Sequence, residues 1–146
     1  MSDSEEVAEL DDIKALFEEF AAEASSFSKR IVHSARPQKT DMSKRVAENL
    51  KVARSVFSKW SIEVMIVLYM HGGQRFTELK RHLPDISSRT LSLKLRKLEE
   101  MGLIRRVVIH NRPPSVIYEL TEEGQTVTKM GEPVFLYFGL VKRFYT

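Results

Sequence analysis

The chain has 146 residues, 42% hydrophobic and 29% charged, the balance of one soluble globular domain with appendages; a chain of this length buries roughly 68–70% of its unfolded surface and needs neither disulfide nor metal to fold. It contains no cysteine, which excludes disulfides, thiolate metal sites and thiol redox sensing. The formal charge of +3 hides an asymmetry: residues 1–27 carry nine acids against Lys14 alone, a net −8, so the remainder carries +11, and a body that basic suits an anionic partner.

Residues 5–33 follow one helical pattern. Leu10, Ile13, Phe17, Phe20, Ala24, Phe27 and Ile31 recur at alternating intervals of three and four, the a/d seam of a coiled coil over three heptads. Phenylalanine is bulky for a tight two-stranded seam, so packing against another helix pair, in this chain or a partner, competes with that reading. Residues 35–41 break the pattern at Pro37 and read as a linker. A second helix is predicted over 43–57, with Val46, Leu50, Ala53 and Phe57 on one face. A third, over 61–71, is nearly all apolar and forms the expected buried centre. Gly72-Gly73 stops it.

Thr77 is expected to cap a short helix that stops at Pro84, with Leu79 and Leu83 facing inward. Asp85-Ile86-Ser87 forms a turn, and Ser87 or Ser88 caps the next helix, which runs to Met101 and closes at Gly102. Leu91, Leu95 and Leu98 make its buried stripe. Strands over 103–110 and 116–120 flank a tip at 111–114, Asn-Arg-Pro-Pro. Thr121 caps a final helical region that Pro133 is expected to interrupt near Gly131. The segment 134–141 is dense in aromatics, and the chain shows no internal repeat or low-complexity tract.

Short helix, tight turn, basic helix and hairpin, in that order, are the layout of a winged helix-turn-helix. The expected fold class is mainly α with a small β wing, flanked by long N-terminal and C-terminal helices that dimerise. Three regions follow: residues 1–36, an acidic amphipathic arm for dimerisation or packing; 43–124, the DNA-binding winged helix-turn-helix; and 125–146, a C-terminal helical dimerisation segment.

The expected partner is double-stranded DNA. Ser88, Arg89, Thr90, Ser92, Lys94 and Lys97 lie off the leucine stripe of the basic helix, with Ser87 at its cap. Residues near the N-terminus of such a helix lie deepest in the groove, so Arg89 suits a bidentate contact to guanine, and the hydroxyls suit close approach. Lys94 and Lys97 suit phosphates. Arg75 and Lys80 suit backbone contacts from the preceding helix, and Arg112 at the hairpin tip suits the minor groove or a phosphate. Arg105 and Arg106 are neighbours on a strand, so at most one of them faces DNA.

No enzyme is expected. The four histidines, His33, His71, His82 and His110, are scattered without metal-ligand spacing. There is no Gly-rich phosphate loop and no local arrangement for a nucleophile, so no cofactor or metal is assigned. The longest clean apolar run, 134–141, is too short to span a bilayer. The acidic N-terminus has no uninterrupted apolar core and does not read as a signal peptide. The expectation is a cytoplasmic, nucleoid-associated prokaryotic protein with no membrane partner.

The run from Lys59-Trp60 to Gly124 resembles the HxlR-type winged-helix transcription regulators of bacteria and archaea. Lys59-Trp60, Arg75-Phe76-Thr77-Glu78-Leu79, Ile86-Ser87-Ser88-Arg89-Thr90-Leu91-Ser92, Gly102-Leu103-Ile104-Arg105-Arg106, Pro113-Pro114 and Leu120-Thr121-Glu122-Glu123-Gly124 carry the resemblance through their combined order. MarR-type regulators share the leucine-rich helix and the last of these, but usually lack the Arg-Phe-x-Glu-Leu element. The resemblance implies a homodimer that acts on a partly palindromic operator to repress or activate nearby genes. Two departures stand out. Members often carry a cysteine just before the Lys-Trp pair, whereas residues 52–58 here hold none. The long acidic N-terminal helix also lies outside the usual pattern. The competing function is a winged-helix protein–protein module of a transcription or chromatin assembly, with the basic face turned to solvent or an acidic partner. The operator, the target genes and any small-molecule effector are not encoded in a readable form.

Overall fold

The computed structural model describes residues 3–34 and 42–141. Among these described residues six helices and two strands follow one another: α1 (Asp3–Ser34), α2 (Met42–Val56), α3 (Ser61–His71), α4 (Phe76–His82), α5 (Ser88–Glu100), β1 (Ile104–Ile109), β2 (Ser115–Leu120) and α6 (Glu122–Leu140). The expected linker over 35–41 lies outside the described residues, as do Phe144 and Tyr145 at the end of the aromatic tail. The chain divides into two compact units, Ser43–Glu132 and the combination of Met1–Met42 with Pro133–Thr146.

The larger unit is a winged helix-turn-helix. Val64, Met65 and Leu68 of α3, Leu79 of α4, and Leu91, Leu95 and Leu98 of α5 are all at most 2% exposed and form one cluster, joined by Ile104 and Leu120 at the base of the hairpin. Each such side chain contributes roughly 1.5–3 kcal/mol by leaving water. The far end of α3 departs from the sequence reading, since Tyr69 and Met70 are exposed. Trp60, which precedes α3, has a left-handed backbone at φ 74°. A positive φ in a residue other than glycine costs on the order of 1–3 kcal/mol; here the indole packs against the core, beneath the Lys59 ammonium at 4.8 Å.

Two capping assignments are resolved. Arg75, not Thr77, is the N-cap of α4. Its backbone N–H donates to the Glu78 carboxylate at 2.8 Å, so the acid three residues on closes the first turn and Thr77 is carried inside the helix. For α5 the cap is Ser87, whose Oγ accepts from the Thr90 N–H at 3.1 Å.

The antiparallel pair β1–β2 runs from Ile104 opposite Leu120 to Ile109 opposite Ser115, and an isolated bridge from Gln74 to Tyr118 ties the hairpin to the loop after α3. Gly102, at φ 71°, turns the chain from α5 into the hairpin. Thr121 fastens the other end: its Oγ1 donates to Gly102 O at 2.6 Å and accepts from Gly124 N–H at 3.0 Å.

The expectation that Pro133 interrupts the final helix is overturned, because α6 is continuous through it. A proline inside a helix removes only the one bond to the carbonyl four residues back, here that of Lys129, an exposed residue. Pro133 instead marks the point where the chain passes from one unit to the other.

In the smaller unit, Phe17 of α1 meets Tyr137 of α6 edge to face at 5.3 Å. A cavity of about 740 Å³ opens beside them, lined chiefly by Phe17, Phe20, Ala21, Val134 and Tyr137. Farther along α1, Phe20, Phe27 and Ile31 of the heptad seam are 45–53% exposed among the described residues.

Gly124 sets a strict test of the larger unit, because a Cβ there would lie 1.9 Å from the Leu103 carbonyl oxygen. Gly124→Ala is expected to destabilise by about 1–3 kcal/mol or more through overpacking. Gly139→Ala, where a Cβ meets nothing within 4 Å, should leave stability unchanged or raise it by about 1 kcal/mol. Urea unfolding midpoints of the two variants check both.

Candidate nucleic-acid interface

The stripe Leu91, Leu95 and Leu98 turns one side of α5 fully inward. Side chains four residues apart share a helix face, so the opposite side is set as firmly. Away from the stripe, Ser88, Arg89, Ser92, Arg96 and Lys97 are all exposed. Arg89, Ser92 and Arg96, at spacings of three and four, share one exposed side of the helix, whereas Ser88 and Lys97, nine residues apart, face opposite sides of it. Ser87 and Thr90 are occupied at its N-terminal end, where the Ser87 hydroxyl donates to Thr90 Oγ1 at 2.8 Å as well as capping the helix.

Two of the expected lysines are anchored rather than free-swinging. Lys80 Nζ donates to the carbonyl of Ile86, bracing the turn between α4 and α5. Ile86, only 2% exposed, plugs that turn into the core. Lys94 Nζ donates to Ser58 Oγ at 3.0 Å across 36 residues of sequence. Arg75 is exposed at the N-cap of α4 and Arg112 is exposed at the hairpin tip, on separate elements. Of the neighbouring strand arginines, Arg105 is ion-paired with Glu119 directly across the hairpin at 2.5 Å, while Arg106 is exposed opposite Tyr118.

Ser58 escaped the sequence reading. It stands in the turn before α3, and nothing local marks it as a partner of Lys94. A second juxtaposition was equally hidden: the exposed rings of His71 and His82 stack at 4.2 Å, although they end different helices. No third ligand joins them, for among the described residues no group of three His, Cys, Asp or Glu side chains is placed to hold a metal ion. No helix among the described residues is long and apolar enough to cross a membrane.

Cations and hydroxyls exposed on one helix are suited to binding an anion. The surface depends on its cap. Ser87→Ala is expected to cost about 0.5–2 kcal/mol of stability, whereas Ser88→Ala one residue later should stay within about 0.5 kcal/mol of the parent. Chemical denaturation of both variants measures the difference.

Against known proteins, the profile of the HxlR-like helix-turn-helix family matches residues 55–134, more than half of the chain. YybR, an uncharacterized HTH-type transcriptional regulator of Bacillus subtilis, is 44% identical over 73 residues, covering 48% of this chain and 55% of that protein. An uncharacterized HTH-type transcriptional regulator of Methanothermobacter thermautotrophicus is 45% identical over 69 residues, covering 47% of this chain and 52% of its own length. The match thus spans about half the length of these two curated relatives. Among solved structures, the redox regulator HypR in its reduced form aligns with a TM-score of 0.57 and 32% identity over 63% of this chain and 90% of that one. With its profile match centred on the helices and hairpin described above, the chain belongs to the HxlR-like helix-turn-helix family.

Proposed function

We propose that the chain is a sequence-specific, double-stranded DNA-binding transcription regulator that acts as a homodimer on a partly palindromic operator in the prokaryotic cytoplasm. The observation that carries this reading is the surface of α5, with Ser88, Arg89, Ser92, Arg96 and Lys97 outward and three leucines buried behind them. In the proposed complex, α5 enters the major groove and Arg89, near its N-terminus, reads a guanine edge. Lys97, Arg75 and Arg112 meet the sugar-phosphate backbone. Membership of the helix-turn-helix family supports the same partner.

The homodimer is supported by more apolar surface than a small monomer should leave wet. Phe20, Phe27 and Ile31 of α1 and Phe135, Leu136 and Phe138 of α6 are 38–53% exposed, all in the same unit. A twofold assembly through these helices would set two α5 helices about 34–36 Å apart, one turn of DNA, or a multiple of it.

Binding to duplex DNA is expected to weaken steeply with salt, with a log–log slope on the order of −5 to −9 per dimer. Fluorescence anisotropy across a salt series measures it. A slope near zero would favour a protein-binding module instead. Arg89→Ala should cost about 1–3 kcal/mol on a selected site and relax its base preference; an equal loss on every sequence would make Arg89 a phosphate contact. Sedimentation of the intact chain should give a dimer, and a monomer would refute that part of the reading.

A further inference from the structure

Beside α5 lies a hollow of about 450 Å³ whose walls come from the end of α2, the turn before α3, and α5 itself. Its charged lining is Lys94, Arg96 and Lys97 against the single carboxylate of Glu100, and Ser55, Ser58 and Thr90 add hydroxyls. Two of these hydroxyls are structural. The Ser55 hydroxyl donates to the Met101 sulfur at 3.6 Å, tying α2 to the end of α5. Ser58 Oγ lies 3.0 Å from the Ser55 carbonyl and 2.9 Å from the hydroxyl of Ser61, which is fully buried. Ser58 therefore cannot swing away, and Lys94, donating to it at 3.0 Å, is held at a defined point of the hollow.

An ammonium has three N–H donors and no acceptor. One is spent on Ser58, and two remain. A half-buried ammonium fixed in this way has already lost most of its rotamer freedom, which a surface lysine must otherwise lose on binding.

We propose that this hollow is an oxyanion seat, in which Lys94, positioned by Ser58 and assisted by Lys97, binds a single phosphate. The favoured source is a backbone phosphate of duplex DNA, at the flank of the groove that α5 enters. The other source of the same chemistry is a free phosphate or phosphate monoester. The proposal rests on the DNA-binding reading for the first source only. Ser58 is a positioning residue and acts through Lys94.

The test uses the full chain and a random-sequence 30-base-pair duplex, so that base readout does not enter. Lys94→Met is expected to weaken binding about tenfold and to make the salt slope shallower by about two per dimer, roughly 0.9 for each lost contact. Lys94→Arg should restore most of the affinity. Ser58→Ala should weaken binding about threefold on its own and not at all in the Lys94→Met background, while Ser58→Thr, which keeps the hydroxyl, should bind like the parent. Circular dichroism melts identify any variant that fails to fold, and Lys94→Gln then replaces Lys94→Met.

If the parent binds the duplex and Lys94→Met leaves both affinity and slope unchanged, the backbone assignment is overturned while the DNA-binding reading stands. If the parent does not bind the duplex at all, that reading fails by itself. A parallel NMR titration with inorganic phosphate against chloride at equal ionic strength follows the amides of Ser58 and Lys94. Shifts present in the parent and lost in Lys94→Met, together with unaltered duplex binding, would assign the seat to free phosphate. Absence of both effects would sink the seat altogether.

Discussion

The burial of three leucines on one side of α5 is the constraint on which the rest of the larger unit depends. Leu91, Leu95 and Leu98 are at most 2% exposed, and they meet a cluster built from Val64, Met65, Leu68 and Leu79. A helix has only one way to place such a stripe inward. The azimuth of every other side chain on α5 follows from it, including Arg89 and Lys97. Rotating α5 to hide the basic face would expose leucines worth roughly 1.5–3 kcal/mol each. The accessible surface is thus the reverse side of the core.

The ends of α5 are held by small polar devices rather than by further apolar burial. Ser87 caps it, the Lys80 ammonium braces the turn before it through Ile86, and Thr121 ties the turn after it to the start of α6. These contacts hold the helix at fixed angles to α4 and the hairpin. Each is worth about 0.5–1.5 kcal/mol in net stability, with bonds to charged groups somewhat more. Their larger effect is geometric, since α5, its flanking turn and the base of the hairpin are set in register. Arg105 belongs to this group, because its pairing with Glu119 stiffens the hairpin at its base. At 62% and 36% side-chain exposure that ion pair adds little to stability.

The smaller unit is organised differently. Its helices α1 and the later part of α6 meet through Phe17 and Tyr137, yet they leave a broad aromatic surface open. The acids of α1 and the aromatics near Pro133 give this unit a chemical character opposite to that of the basic larger unit. A surface of this kind is covered by association more often than it is left wet.

The helices, their order and the hairpin were readable from the sequence because each rests on local information. The leucines of α5 recur at helical spacing, Gly102 supplies the left-handed turn, and Ser87 sits where a cap belongs. The exposed face of α5 was readable for the same reason, being the complement of the leucine stripe. Local rules misplaced the cap of α4, where Glu78 closing onto Arg75 outcompeted the hydroxyl of Thr77. They also overstated Pro133, since α6 runs on through the loss of one helical hydrogen bond. The contact of Lys94 with Ser58 and the stacking of His71 on His82 had no sequence signal. Each joins residues far apart in the chain, and only the packing of α5 and α4 against α3 and the turn that precedes it brings them within reach. Periodicity determines which way a side chain faces; which distant group it meets is decided by how the helices cross.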